Sequence, residues 1–169
     1  MNHDLRLRGA NTSDINRVRE IERASATRFL GTARAALAEE EPTDAATLAA
    51  RIASGGLLVA EEGGEAVAFV MFLEVEGCGY VEQIDVAPSH ERRGIGARLI
   101  EAVADLARER GWPALTLSTF KDVPFNAPYY RRLGFAEVEE LTPAMLAIRA
   151  EHVARGLDES MRVFMRREV

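Results

Sequence analysis

The 169-residue chain has one cysteine and three histidines. A single thiol cannot build an internal disulfide framework, which fits a reducing cytoplasm. The histidines are scattered, so no zinc set is expected and no metal is assigned. No stretch approaches the ~20 consecutive apolar residues of a membrane span, and no membrane partner is expected. Met1-Asn2-His3-Asp4-Leu5 has no apolar h-region, so no signal peptide is expected. Internal repeats and low-complexity linkers are missing as well. The net charge of −6 argues against nucleic acid as the main partner.

What remains is 47% apolar and 28% charged. That composition is too apolar for disorder, and the length suits one domain that buries about 70% of its unfolded surface. Residues 1–85 carry a net −7 and residues 86–169 a net +1. The second half therefore suits an anionic ligand and the first a cationic one, unless the acidity serves only solubility.

Leu5 to Arg8 alternate like a short strand. Thr12 or Ser13 can cap a helix with Asp14 in its first turn and a stripe of Ile15, Val18, Ile21 and Phe29. An Ala-rich second helix, capped near Thr43 or Asp44, ends at Gly55-Gly56. Leu57 to Glu61 and Ala66 to Val75 form a hairpin about Gly63-Gly64. Gly77-Cys78-Gly79 is a second turn, and Tyr80 to Val86 a third strand stopped by Pro88. A helix with Ile95, Leu99, Val103 and Leu106 on one face ends at Gly111. Strand Leu115 to Ser118 follows, then a short helix capped by Asn126, strand Phe135 to Glu139, a helix opened by Thr142-Pro143 and ended by Gly156, and strand Met161 to Met165. The order β-αα-βββ-α-β-α-β-α-β is a mixed α/β domain.

The loop Arg92-Arg93-Gly94-Ile95-Gly96-Ala97 lies between a strand and a helix N-terminus. Amides there lack intrahelical partners and carry the positive end of the helix dipole, so a pyrophosphate is a natural guest. Gly94 and Gly96 let its oxygens reach the backbone. Neither common nucleotide fingerprint fits: position 99 is Leu, and no Gly-Lys-Ser/Thr follows.

The stretch from Ile84 to Ile100 closely resembles the acetyl-CoA signature of the GNAT N-acetyltransferase superfamily. Asn126-Ala127-Pro128-Tyr129-Tyr130-Arg131-Arg132-Leu133-Gly134-Phe135, about 40 residues on, resembles its later motif. Glu91 departs from the family's usual Gln or Arg and is expected to face solvent, with Arg92 and Arg93 dominating the local field. The resemblance covers roughly residues 5–140. It implies a GNAT-type single domain over 1–169 with a central, mostly antiparallel mixed twisted sheet of about six or seven strands flanked by helices. Residues 1–56 would supply the first strand and acceptor-side helices, 57–140 the acetyl-CoA-binding core, and 141–169 an extra helix and final strand.

It also implies an enzyme that moves an acetyl group from acetyl-CoA to a primary amine. Residues 92–97 would hold the pyrophosphate, and the backbone of Ile84, Asp85 and Val86 the pantetheine, with the Val86 N–H on the thioester carbonyl. Glu82 is the expected base: alternation puts it on a face with Tyr80, Ile84 and Val86, where desolvation would raise its pKa. Polyamine acetyltransferases of the superfamily carry a catalytic Glu at this offset. Asp85 and Glu22 are weaker candidates. Tyr130 is the expected acid, with Tyr129 as fallback. Asn126 combines a helix cap with a contact to the cofactor arm. Cys78 and His90 are expected to be turn residues, and Trp112, Phe120 and Phe125 packing.

Glu22, Glu39, Glu40 and Glu41 point to a small cationic amine as partner. A lysine or N-terminal protein acetyltransferase, or a non-catalytic acyl-CoA-binding module, stays open. The helix near 143–155 is expected to cover the acceptor side or make a homodimer contact.

Overall fold

Pairs of residues in the left-handed region close both central hairpins. Gly63 and Gly64 have φ of +62° and +83°, and Glu76 and Gly77 of +52° and +75°. Two such residues in succession match the right-handed twist of the flanking strands. The second turn thus lies one residue earlier than the glycines predict. Gly79 belongs to the following strand instead, and it is glycine there because a Cβ would sit 2.9 Å from Leu115 Cδ2 and 3.1 Å from the Trp112 ring.

The computed structural model describes residues 4–169. Its strands are β1 (Arg6–Gly9), β2 (Leu57–Glu62), β3 (Glu65–Val75), β4 (Cys78–Val86), β5 (Ala114–Phe120), β6 (Ala136–Glu137) and β7 (Arg162–Glu168). They form one seven-stranded sheet in the order β1-β2-β3-β4-β5-β7-β6. The pairs β1/β2, β2/β3, β5/β7 and β6/β7 are antiparallel. Helices α1 (Ile15–Ser25), α2 (Ala45–Ala53), α3 (Ile95–Arg110), α4 (Ala127–Arg132) and α5 (Pro143–Ala154) complete a mixed α/β fold. Among the described residues no helix is long and apolar enough to cross a membrane.

The chain divides into two compact units, Met1–Leu73 with Val81–Val103, and Glu74–Tyr80 with Ala104–Val169. In the first, Val18 and Ile21 of α1 and Leu48 of α2 bury against Leu57, Val59, Ala66, Phe69 and Met71 of β2 and β3. The predicted stripe is therefore real at its middle, while Phe29 falls in a separate 3-10 turn. The start of α1 differs from prediction. Asn11, not Thr12 or Ser13, caps the 3-10 turn before it, and Asp14 returns a bond to the Asn11 amide. Asp14 is free to do so because it is buried against Arg8, which donates to it at 2.8 and 2.9 Å. Asp44 caps α2 by accepting from Thr47 N at 2.8 Å. A Schellman turn ends α2: Gly56 N donates to Arg51 O at 2.7 Å and Gly55 N to Ile52 O at 3.1 Å.

In the second unit β5 and β7 pair from Ala114↔Glu168 to Phe120↔Arg162, both strands running longer than predicted. The strand expected over 135–139 shrinks to Ala136–Glu137. The cause is local: Phe135 N is taken by Tyr130 O at 3.0 Å in the turn that ends α4 at Gly134. Thr142 caps α5 as predicted.

Two predictions follow from the first unit. A Cβ on Gly56 would lie 2.2 Å from the Phe72 carbonyl oxygen, which belongs to backbone and cannot swing away. Gly56→Ala is expected to lower unfolding free energy in urea by about 2–4 kcal/mol. The Arg8 guanidinium holds Asp14 below the usual carboxylate range. Its stabilisation is therefore present above the unfolded pKa near ~4 and is lost as pH falls through the lower folded value. Asp14→Asn should destabilise at pH 7 and give a shallower acid limb in pH-dependent melting.

Candidate active site

The loop before α3 alternates in backbone handedness. Arg92 has φ of +60° and Gly94 of +74°, with Arg93 between them outside that region. Such alternation turns successive amides into a concavity suited to an anion. Arg98 N donates to Gly94 O at 3.1 Å, which makes Gly94 the residue that starts the helix. A glycine there has no side-chain oxygen to offer the amides of Gly96 and Ala97. Glu91 is exposed, as expected, and so are Arg92 and Arg93, while Ile95 is buried and anchors the helix start. The expected field needs correcting at Arg93, whose guanidinium is held by Glu62 at 2.6 and 3.2 Å.

The end of β4 carries two carboxylates, and each holds an arginine. Glu82 does not stand alone on an apolar face. Arg51, from the last turn of α2, donates to it at 2.5 and 2.8 Å. Asp85, expected to be the lesser group, is the more deeply buried, with its side chain 2% exposed. It pairs with Arg28 at 3.1 Å and accepts from Gln83 Nε2 at 2.6 Å. Burial pushes its pKa up against the lowering effect of Arg28. Glu22 is not a solvated helix residue either. It accepts from Thr43 N at 2.9 Å and Thr43 Oγ1 at 3.1 Å, joining α1 to the start of α2. Burial raises its pKa, and the negative charge of Asp85 adds to the rise. The proximity of Glu22 and Asp85 was hidden in the sequence, where 62 residues separate them.

The later motif lies in the second unit. Asn126 stands at the start of α4 but makes no capping bond. Its Oδ1 instead accepts from Thr119 Oγ1 at 2.8 Å in a buried pair, which corrects the expected capping role. Tyr130 is half-buried, edge-on to Phe135 at 5.8 Å and to Tyr129 at 5.3 Å. Burial raises the Tyr129 pKa. Cys78 is a buried free thiol in β4, with Arg166 Nη1 3.5 Å from its sulfur. Phe120 is buried beneath the Arg162 guanidinium, and Trp112 lies under that of Arg110. Among the described residues no group of three His, Cys, Asp or Glu is placed to hold a metal ion.

Residues 15–135 match the model of the Acetyltransferase (GNAT) family. The chain belongs to the GNAT family. A 59-residue stretch is 48% identical to streptothricin acetyltransferase of Streptomyces lavendulae, covering 33% of this chain and 30% of that enzyme. The PaiA N-acetyltransferase of Thermoplasma acidophilum, solved with coenzyme A, has the same fold, with a TM-score of 0.75 at 13% identity over 98% of this chain and 99% of that one. N-acetylglutamate synthase of Neisseria gonorrhoeae, solved with coenzyme A and N-acetyl-glutamate, gives 0.73 at 17% identity over 99% of this chain and 36% of that one.

The matched family is one of acetyltransferases, and both of these solved neighbours hold coenzyme A. The loop fits the diphosphate of that molecule on its own geometry: two left-handed residues, a side-chain-free helix start and exposed arginines. An arginine in the left-handed region is strained by about 1–2 kcal/mol relative to an ordinary conformation. Arg92→Gly is therefore expected to leave stability unchanged or raise it by up to about 1 kcal/mol, because glycine's greater chain entropy offsets part of the relief. The same variant should bind coenzyme A more weakly through the lost charge. Urea unfolding and calorimetric titration check the two halves separately.

Proposed function

We propose that this GNAT enzyme acetylates the primary amine of a small cationic molecule by direct attack, with Glu82 as general base and Tyr130 as general acid. The observation that carries the acceptor class is the carboxylate set Glu22, Glu82 and Asp85 on segments 15–25 and 78–86. Glu22 and Asp85 lie close enough for the charge on Asp85 to raise the pKa of Glu22. Arg51 and Arg28 offset two of these three charges, and the one left over favours an ammonium over an anionic acceptor. The kinship to streptothricin acetyltransferase over 59 residues supports the same class.

Acetyl-CoA brings an activated thioester carbonyl to the reaction. The chain's own groups manage the protons. An alkylammonium must first lose a proton to become a nucleophile. Glu82 accepts it on a lone pair that its two bonds to Arg51 leave open. The amine nitrogen then bonds to the carbonyl carbon, the carbon–sulfur bond breaks, and the second proton that the nitrogen sheds as it becomes an amide passes through water to restore the Tyr130 hydroxyl. The Val86 N–H is assigned to the carbonyl oxygen, where charge develops. The Tyr130 hydroxyl protonates the departing sulfur, whose conjugate acid has a pKa near that of a phenol.

The test is thiol release from acetyl-CoA over a panel of a polyamine, an aminoglycoside, streptothricin and a lysine-bearing peptide. Turnover on a small polycation is expected. Turnover confined to the peptide would overturn the acceptor class, and coenzyme A binding with no turnover on any amine would remove the catalytic assignment. On the best amine, Glu82→Gln is expected to lower kcat by about 10²–10⁴-fold, most strongly at low pH where amines stay protonated. If Asp85→Asn lost activity while Glu82→Gln kept it, the base would be Asp85. Unchanged turnover in Tyr130→Phe would unseat the acid.

A further inference from the structure

One carboxylate grips the chain on both sides of the strained arginine. Glu62 is the last residue of β2. Its Oε2 lies 2.8 Å from His90 Nε2, and its two oxygens accept from Arg93 at 2.6 and 3.2 Å. His90 is fixed at its other ring nitrogen by the Ser89 hydroxyl at 2.7 Å. Between these two anchored residues lie only Glu91 and Arg92, and Arg92 is the one with φ of +60°. A side-chain-bearing residue does not stay left-handed unless its surroundings hold it there. Helix α3 holds the chain only from Ile95, three residues on. The anchor comes from the sheet. Arg93 and His90 hold Glu62 at a pKa of about 2, so it is an anion throughout the neutral range.

We propose that Glu62 is a positioning residue for acetyl-CoA. By gripping His90 and Arg93 it keeps the 92–97 amides converged on the site of the diphosphate. This rests on the assignment of that loop as the diphosphate cradle. Glu62 itself touches no substrate. It acts through the loop's shape, so its loss should weaken binding of the diphosphate and leave the chemistry alone. The opposite role, a carboxylate that competes with phosphate for Arg93, predicts the opposite sign.

The experiment compares wild type, Glu62→Gln, Glu62→Ala and Glu62→Asp in calorimetric titration with coenzyme A. It also measures turnover on acetyl-CoA and on acetyl-pantetheine, which lacks the diphosphate. In Glu62→Gln and Glu62→Ala the Kd for coenzyme A and the KM for acetyl-CoA should rise about tenfold, with kcat changed less than about twofold. Rates on acetyl-pantetheine should be unaltered, and Glu62→Asp should recover part of the affinity. Unchanged or tighter coenzyme A binding in Glu62→Gln overturns the proposal, and so does an equal loss on acetyl-pantetheine, which would mark general damage. Failure of the wild type to bind coenzyme A would instead sink the assignment of the loop.

Discussion

A helix that starts on a glycine leaves its first amides without any oxygen from its own cap. At α3 that condition is met at Gly94, and the preceding residues bend so that more amides point the same way. Such a start leaves those amides to water or to an anion. The surroundings accordingly restrain it: Ile95 is sunk into the core, and Glu62 reaches from β2 to His90 and Arg93. A binding surface made of backbone needs a scaffold that fixes backbone, and the sheet supplies it.

Segments 15–29 and 45–53 are tied to β4 by a related device. Glu82 and Asp85, three residues apart in β4, hold Arg51 from the end of α2 and Arg28 from the 3-10 turn after α1. Glu22 in turn holds the start of α2 through Thr43. A guanidinium and a carboxylate meet in a defined planar geometry, so these contacts fix direction as well as distance. Arg51 is itself placed by the Schellman turn at Gly55-Gly56, and at Gly56 no side chain fits. The position of the proposed base therefore depends on a backbone turn at the far end of α2.

The fold was legible wherever local chemistry was decisive. Gly63-Gly64, Asp44, Thr142 and Gly55-Gly56 marked their turns and caps because each residue type suits one backbone state. Departures came where a more distant group competed. Phe135 lost its place in a strand because Tyr130 O takes its amide, and Asn126 left its capping role because Thr119 reaches its oxygen. The loop proposed for the diphosphate could be delimited from Arg92 to Ala97 because its amides are consecutive. The ionic partners were not. Arg51 lies 31 residues from Glu82, Glu62 lies 31 from Arg93, and Arg28 lies 57 from Asp85. Strand alternation gives which side a carboxylate faces, but it carries no information on which helix brings the opposite charge.

The two-residue turns of the β2-β3-β4 meander also bear on how the chain reaches this state. Strands joined by so short a connection find each other within microseconds and lose little chain entropy on closure. Pairing β5 with β7 instead requires the ends of the 41-residue segment Lys121 to Met161 to meet, a slower search with a larger entropic barrier. Synthesis delivers the fast-closing meander first, then β5, and only later β7, with which β5 pairs. While a nascent chain still awaits β7, one border of β5 carries unpaired peptide groups, and that interval is when the polypeptide is most exposed to edge-to-edge aggregation.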